Sequence, residues 1–375
     1  MTRAMIVQPD RRQRIARLTP LAHVLARLDA LVKPVTPRTA DLSAALGRTL
    51  AEDVVIHAPV PTTARALRDG WAVSSDLTTD AGAYAPAPLP SAAWVDVGEP
   101  LPGDADAVAP LDAVAIRDGA AQALAPLGPG EGALPTGADV ASGTTLLPTG
   151  RRLGGIELAL LAAAGVAEVR VRAPRLRLVH AAPGSNAVID AAIGCIADAI
   201  GSQGGTIAAQ HGLANALADT SVDAVVVVGG TGTGKNDTTV RTLASMGELI
   251  VHGIGLLPGE TMAFGTVGAR PVLALPGRLD AALAAWHVLG RVMLARLSGS
   301  LEAPPMRTAK LTHKVSSSVG LSELVPVRCE GAYVTPIASG YVPLAALAQA
   351  NGWIFIPPDS EGYPAQNEVV IRPWP

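Results

Sequence analysis

Residues 225–237, VVVVGGTGTGKND, join an apolar run to glycines and a lysine, the combination that can hold a phosphate. Gly229, Gly234 and Lys235 satisfy the G-x-x-x-x-G-K spacing of a nucleotide-triphosphate loop, in which the next residue is a serine or threonine whose hydroxyl ligates magnesium. Here Asn236 and Asp237 follow. The hydroxyl is missing, and a carboxylate would stand near the phosphates, so a P-loop-like NTPase is the weakest of three readings. The others are glycines that only turn a strand into a helix, and a different anion held by the same backbone amides at a helix start.

Three carboxylates stand in loop contexts where they could place a cation: Asp69 in RDGWAV, Asp139 in TGAD, and Asp237. Each has a bland reading beside the chemical one. Asp69 precedes Gly70, and Asp-Gly is a common turn pair. Asp139 can be a solvated loop residue, and Asp237 can favour a helix dipole without any substrate. Lys235, Arg278, Arg65 and Arg68 are candidate positive groups. His180 and His252 fall near strand ends and receive no role, and Trp71 reads as packing.

These residues need elements to position them. RLRLVHAA and VDAVVVVG read as strands, the second buried on both faces because it does not alternate. Asn186 can cap a helix carrying Ile189, Ile193, Ile196 and Ile200, and PVLALPGRLDAALAAWHVLGRVML repeats strand, turn and helix. Alternation of this kind implies a parallel sheet in a three-layer α/β domain, with ligands outside the carboxyl ends of the strands, so residues 229–237 and 276–280 should share one rim. Thr19 reads as the N-cap of a helix bearing Leu21, Val24, Leu25, Leu28 and Leu31 on one face. Short strand-like runs between Pro/Gly breaks make a β-rich insertion of residues 46–138, and residues 303–375 read as a compact β domain.

The chain of 375 residues is 49% hydrophobic and can bury a large core. Charged residues are only 16%, below the roughly 25% of typical domains, so part of the surface is expected to be covered by other domains or a second subunit. The net charge of −3 and the absence of a basic run exclude a nucleic-acid binder. No apolar stretch is long enough for a signal peptide or a span, so a cytoplasmic address and no membrane contact are expected. Cys195 and Cys329 are far apart, with no CxxC and no nearby histidine, and read as packing residues.

Successive blocks resemble the MoeA-type molybdopterin molybdotransferases, the family that includes the gephyrin E domain. VVVVGGTGTGKND, GELIVHGIGLLPGETMAFG, PVLALPGRLDAAL and LARLSG match in order, preceded by LGRTLAEDVV, RDGWAV, VGEPLPGDADAV and GADVASGTTLLPTGRRLGGIELALLAAAGVAEV, and followed by SSSVGLSELVPVR and ALAQANGWIFIP. The resemblance covers nearly the whole chain. It implies a multidomain α/β plus β fold: residues 18–45 with 139–174 as a discontinuous linker domain, 46–138 as the insertion, 175–302 as a three-layer molybdopterin-binding domain, and 303–375 as the C-terminal β domain. It also implies a homodimer that binds adenylylated molybdopterin, takes molybdate with Mg, and releases AMP and cofactor. An upstream adenylyltransferase and a client molybdoenzyme are the implied protein partners.

Carried over by position, Asp69 and Asp237 match catalytic and metal-placing aspartates, and Asp139 a further metal carboxylate. Gly229, Gly230, Thr231, Gly232, Thr233, Gly234 and Lys235, with Pro276, Gly277 and Arg278, fall on the cofactor-binding loops. Several family positions differ. Leu257 and Glu260 stand for lysines, Arg278 and Leu279 for Asn and Pro, Val97 for a threonine, Leu321 and Pro326 for arginines, and HAAPGSN is shorter than the family's glutamate-bearing stretch. These replacements leave two implied outcomes: a molybdotransferase, or a degenerate molybdopterin-binding or molybdoenzyme-docking scaffold. Lys235, Arg278 and Arg65 or Arg68 are the groups that could restore positive charge.

Overall fold

The computed structural model describes residues 13–181, 186–208, 212–302 and 305–374. The HAAPGSN segment therefore lies mostly outside the described residues. Contacts divide the chain into two compact units, Met1–Glu52 with Thr149–Leu158 and Glu168–Pro375, and Asp53–Pro148 with Ala159–Ala167.

The first unit is built on a six-stranded sheet. Its order is Thr206–Ala208, Arg175–His180, Ala224–Val228, Arg270–Leu275, Ala263–Val267 and Glu248–His252. The valine run is the central strand, and all five of its residues are buried. Val226 and Val228 pack with Ile193, Ile196 and Trp286 on one face, and Val225 and Val227 with Leu217, Val240 and Leu243 on the other. Two covered faces make three layers, which is why the strand carries no polar alternation.

The sheet is mixed rather than parallel throughout. Arg175–His180, Ala224–Val228 and Arg270–Leu275 run parallel, but Ala263–Val267 and Glu248–His252 each pair antiparallel to their neighbours. Val267 and Arg270 face each other across a two-residue turn in which Gly268 has φ +61. So short a connection can form only a hairpin, because a parallel return needs a crossover of a dozen residues or more.

Asn186 caps the helix Ala187–Ser202, its Oδ1 accepting from the Val188 and Ile189 amides at 3.1 and 3.3 Å. Ile193, Ile196 and Ile200 are buried on its inner face. Cys195 lies on the outer face and is exposed, so only Cys329 is a packing residue. The helix Leu21–Leu31 buries Leu21, Val24 and Leu28, while Leu31 at its end is exposed. Thr19 does not cap it. Its N–H donates to Gly253 O and its carbonyl accepts from Gly255, so Thr19 belongs to a strand-like contact and Pro20 occupies the cap position.

In the C-terminal part, Ser322–Glu330, Tyr333–Pro336, Arg307–Leu311, Glu368–Pro373 and Gly352–Ile356 pair in sequence, and the last returns to the first. Closure makes a small barrel without free edges around Leu311, Val325, Val327 and Ile354. Leu256–Leu257 adds to it, parallel to Ser322–Glu330.

The second unit is assembled from short β elements. Gly70–Val73 is flanked antiparallel by Ala93–Val95 and Ala107–Ala109. A β-carbon at Gly70 would lie 2.2 Å from Ala109 O, so backbone approach demands the glycine. Trp71 packs edge-on against Trp94 at 5.6 Å. Among the described residues no helix is long and apolar enough to cross a membrane.

Candidate functional site

Two turns meet at the carboxyl ends of the parallel strands in the first unit. Gly229 follows Val228, Pro276 follows Leu275, and a β-carbon at Gly277 would lie 3.4 Å from Gly229 Cα. The shared rim expected from the strand–helix alternation is therefore present. Pro276 has no N–H to offer, so Gly277 supplies the amide of its turn.

The glycine loop is held open by specific contacts. Gly229 and Gly230 have φ +96 and +67, the left-handed region that favours glycine. The Gly229 amide donates to Leu275 O at 2.9 Å, and Thr239 Oγ1 donates back to Gly229 O at 2.9 Å. Thr239 is the first residue of the helix Thr239–Met246, so the helix begins four residues after Lys235. In a triphosphate loop the hydroxyl next to the lysine faces magnesium, whereas here Asn236 follows the lysine and the Thr239 hydroxyl, at the first helical position, faces a backbone carbonyl. The geometry disfavours the NTPase reading for that reason.

Asp237 folds back into the loop. Its Oδ2 accepts the Gly234 amide at 2.9 Å, and Oδ1 has no partner among the described residues. It precedes the helix instead of occupying its first turn, where no acidic residue is found. Thr231 is buried: its Oγ1 lies 3.1 Å from Thr261 Oγ1, and its carbonyl lies 2.9 Å from His252 Nε2. Thr233, Gly234, Lys235 and Asn236 are exposed, and Gly232 beside them is half-buried. The amides of Gly232 and Thr233 have no hydrogen-bond partner among the described residues, and the Lys235 ammonium has none either.

Gln13 completes the loop. Its Nε2 donates to Gly230 O at 2.7 Å and Gly232 O at 2.6 Å, from a side chain only 6% exposed. Its Oε1 is buried without a partner among the described residues. No sequence signal links Gln13 to a loop 217 residues away, so the reading of residue types missed it. His252, Thr239 and Thr261 were likewise unassigned.

The neighbouring cation is already engaged. Arg278 Nε and Nη2 donate to the two carboxylate oxygens of Asp280 at 3.1 and 2.5 Å, and its guanidinium lies 4.9 Å from the centre of the Tyr341 ring. The hydrogen bonds to Asp280, with the charges of Asp280 and Glu260, hold Arg278 above the usual guanidinium value. Asp280 is buried and also accepts the Val342 amide, so it fixes Arg278 to the barrel side of the rim. Arg278 is thus less available as a compensating charge than its side-chain type alone implies. Glu260 Oε2 accepts the Gly259 amide at 3.1 Å, and Leu257 pairs with buried Glu323 in the barrel sheet.

In the second unit, Asp69 Oδ1 accepts the Val97 amide at 2.7 Å, and Asp69 is exposed. Asp139 is exposed; its amide donates to Val60 O, and its carboxylate has no partner among the described residues. Arg68 is tied down, donating to Val108 O at 2.9 Å and to Glu131 Oε1 at 3.1 Å. Arg65 Nη1 donates to Gly98 O at 2.6 Å and keeps no carboxylate partner among the described residues. Among the described residues no group of three or more His, Cys, Asp or Glu gathers to hold a metal.

Comparison with known proteins matches three family models along the chain. The MoeA N-terminal region (domain I and II) matches residues 19–165, the probable molybdopterin binding domain residues 200–296, and the MoeA C-terminal region (domain IV) residues 308–374. Molybdopterin molybdenumtransferase 2 of Mycobacterium tuberculosis is 28% identical over 393 residues, covering 88% of this chain and 93% of the relative. Molybdopterin molybdenumtransferase of Haemophilus influenzae is 26% identical over 329 residues, covering 78% and 81%. The crystal structure of the molybdopterin biosynthesis MoeA protein from Pyrococcus horikosii superposes with a TM-score of 0.78 at 28% identity, covering 95% of this chain and 99% of that one.

Proposed function

We infer the activity from the family: this chain belongs to the MoeA proteins of molybdenum cofactor biosynthesis and carries their molybdopterin-binding domain, and we propose that it binds adenylylated molybdopterin and transfers molybdenum to it. The observation that carries the site assignment is the pair of uncommitted amides at Gly232 and Thr233, beside Lys235 and across the rim from Gly277. Backbone N–H groups beside an exposed ammonium suit the phosphates of an adenylylated pterin. The names of the curated relatives, molybdopterin molybdenumtransferases, support the transfer itself.

Magnesium fits the residues present. It takes one or two carboxylates and fills the rest of its shell with water and substrate phosphates, so a cluster of three acids is not required. Asp237, with one oxygen committed to Gly234 and the other without a partner among the described residues, is the proposed ligand in the first unit; Asp69 and Asp139 are the proposed ones in the second. When bound, the cation supplies charge to the phosphoanhydride as AMP leaves. The protein's own part is to hold the phosphates on the loop amides, to offset their charge with Lys235, and to keep the loop shape through Gln13 and Thr239.

We further propose a cytoplasmic homodimer with domains at 18–45 and 139–174, 46–138, 175–302 and 303–375. It receives its substrate from an adenylyltransferase and passes its product to a molybdoenzyme. The low charged fraction of 16% favours an extensive subunit interface.

The test is to incubate the purified protein with adenylylated molybdopterin, molybdate and magnesium, and to follow retained pterin and free AMP. Retained pterin with molybdate-dependent AMP is the expected result. Pterin held without AMP would reduce the assignment to a binding scaffold, and neither signal would overturn it. Lys235→Ala should weaken pterin binding by roughly tenfold or more, the effect of losing one charge-assisted contact.

A further inference from the structure

The first unit contains a cavity of about 660 Å³ that includes no residue of the glycine-loop rim. It lies among the helices Leu21–Leu31 and Arg291–Ser298 and the barrel strands Gly352–Ile356 and Glu368–Pro373. Its size suits a ligand of one or two fused rings. Leu21, Leu25, Val292, Trp353 and Phe355 make its apolar wall.

The polar groups in this cavity have unbalanced charge. Among the described residues that line it Glu302 is the only carboxylate, and Glu302 is already paired with Arg151 and Arg152. Arg296 is paired with Asp29. Arg291 and Arg372 are half-buried and have no acidic partner among the described residues. Arg372 lies over Trp353 at 4.9 Å and Phe355 at 5.7 Å from the ring centres. Burial lowers both guanidiniums below the usual value, and Arg152 lowers Arg291 further.

His287 adds a second, independent sign. It lies in the π-helical turn Trp286–Gly290, a distortion that often marks functional sites. Its ring stacks 5.5 Å from Trp374 and sits 5.8 Å from Trp353. The residue is 6% exposed, and both ring nitrogens are buried without a hydrogen-bond partner among the described residues. Buried polar atoms are ordinarily satisfied, and partly buried cations ordinarily find counter-charge. Two guanidiniums without an acidic partner among the described residues, an imidazole without a hydrogen-bond partner among them and an aromatic wall together suit an anion with a flat apolar body.

We propose that this cavity is a second binding site, for a small aromatic organic anion whose ring lies on the Phe355 and Trp353 wall and whose charged group pairs with Arg291 and Arg372. His287 offers a further donor or acceptor to the same ligand. No residue of the glycine-loop rim lines the cavity.

Two fluorescent probes with one ring skeleton test it: anilinonaphthalene sulfonate, which is anionic, and phenylnaphthylamine, which is neutral. The full-length protein should bind one sulfonate per chain, more tightly than the neutral probe. Arg291→Met and Arg372→Met should each weaken the sulfonate roughly tenfold or more while leaving the neutral probe unchanged, and Arg291→Lys should restore part of the loss. Equal binding of the two probes to the unmodified protein, no saturable sulfonate binding, or parallel loss of both probes in the variants would overturn the proposal. The comparison of probes on the unmodified protein needs no variant to fold. Its outcome is also separate from pterin retention and AMP release.

Discussion

Replacing Gly230 by alanine puts the glycine loop under two distinct stresses. With φ +67, an alanine there occupies the left-handed region, at a cost of roughly 1–2 kcal/mol. Its β-carbon would also fall 2.4 Å from Thr239 Oγ1, a separation no real contact sustains. The hydroxyl must rotate away and surrender its hydrogen bond to Gly229 O, which costs about 1 kcal/mol more. The narrower unfolded ensemble of alanine returns about 0.4–1 kcal/mol, leaving a net loss of roughly 2 kcal/mol. Gly277→Ala is the control: its φ is not positive and its nearest neighbours are 3.4–3.9 Å away.

Native-state hydrogen exchange at the Val226–Val228 amides reads the opening free energy of the adjoining strand. Gly230→Ala should lower it by about 2 kcal/mol and Gly277→Ala by less than about 0.5 kcal/mol. Thr239→Val removes the hydroxyl by another route, so combining it with Gly230→Ala should cost less than the sum of the two. If Gly230→Ala costs no more than Gly277→Ala, or the pair adds in full, the clamp between the helix start and the strand end does not hold the loop as described.

Other outcomes follow from the same geometry. Gln13→Ala removes two hydrogen bonds to loop carbonyls and should speed exchange at the Gly229 and Thr239 amides, which donate to Leu275 O and Gly230 O, by roughly tenfold, about 1.4 kcal/mol; unchanged exchange would mean that Gln13 does not brace the loop. Burial, with Arg291 nearby, lowers His287 from 6.5 to about 3. Below pH 6.5 the unfolded chain therefore takes up a proton that the folded protein refuses. Stability should fall by about 1.4 kcal/mol per pH unit from this group until the pH reaches the folded value. Urea unfolding of His287→Phe between pH 7 and pH 5.5 should show a shallower decline than the unmodified chain, and parallel declines would refute the assignment.

Much of the framework was legible from residues 175–298. Four apolar β-branched residues in succession made Val225–Val228 a strand covered on both faces, and Asn186 before a four-three-four isoleucine spacing made a capped helix, because both signals depend on neighbours within one or two turns. The antiparallel edge was missed because its cause is a two-residue turn at Gly268, hidden inside a pattern that otherwise alternates strand and helix. Thr19 looked like a cap by its type and position, yet the approach of residues 253–255 claimed its backbone for a strand-like contact.

The amino-acid sequence by itself determined the α/β frame, the rim where two turns converge, and the succession of blocks that marks the family. Only the tertiary structure decided what each group at that rim is free to do. It gave the Gly234 amide to Asp237, tied Arg278 to Asp280 and Arg68 to Glu131, brought Gln13 onto the loop, and left the amides of Gly232 and Thr233 uncommitted. Periodicity and turn chemistry act over a few residues and can be read in one dimension. The availability of an amide or a charge depends on the partner that folding delivers from elsewhere in the chain, and no local pattern encodes that partner.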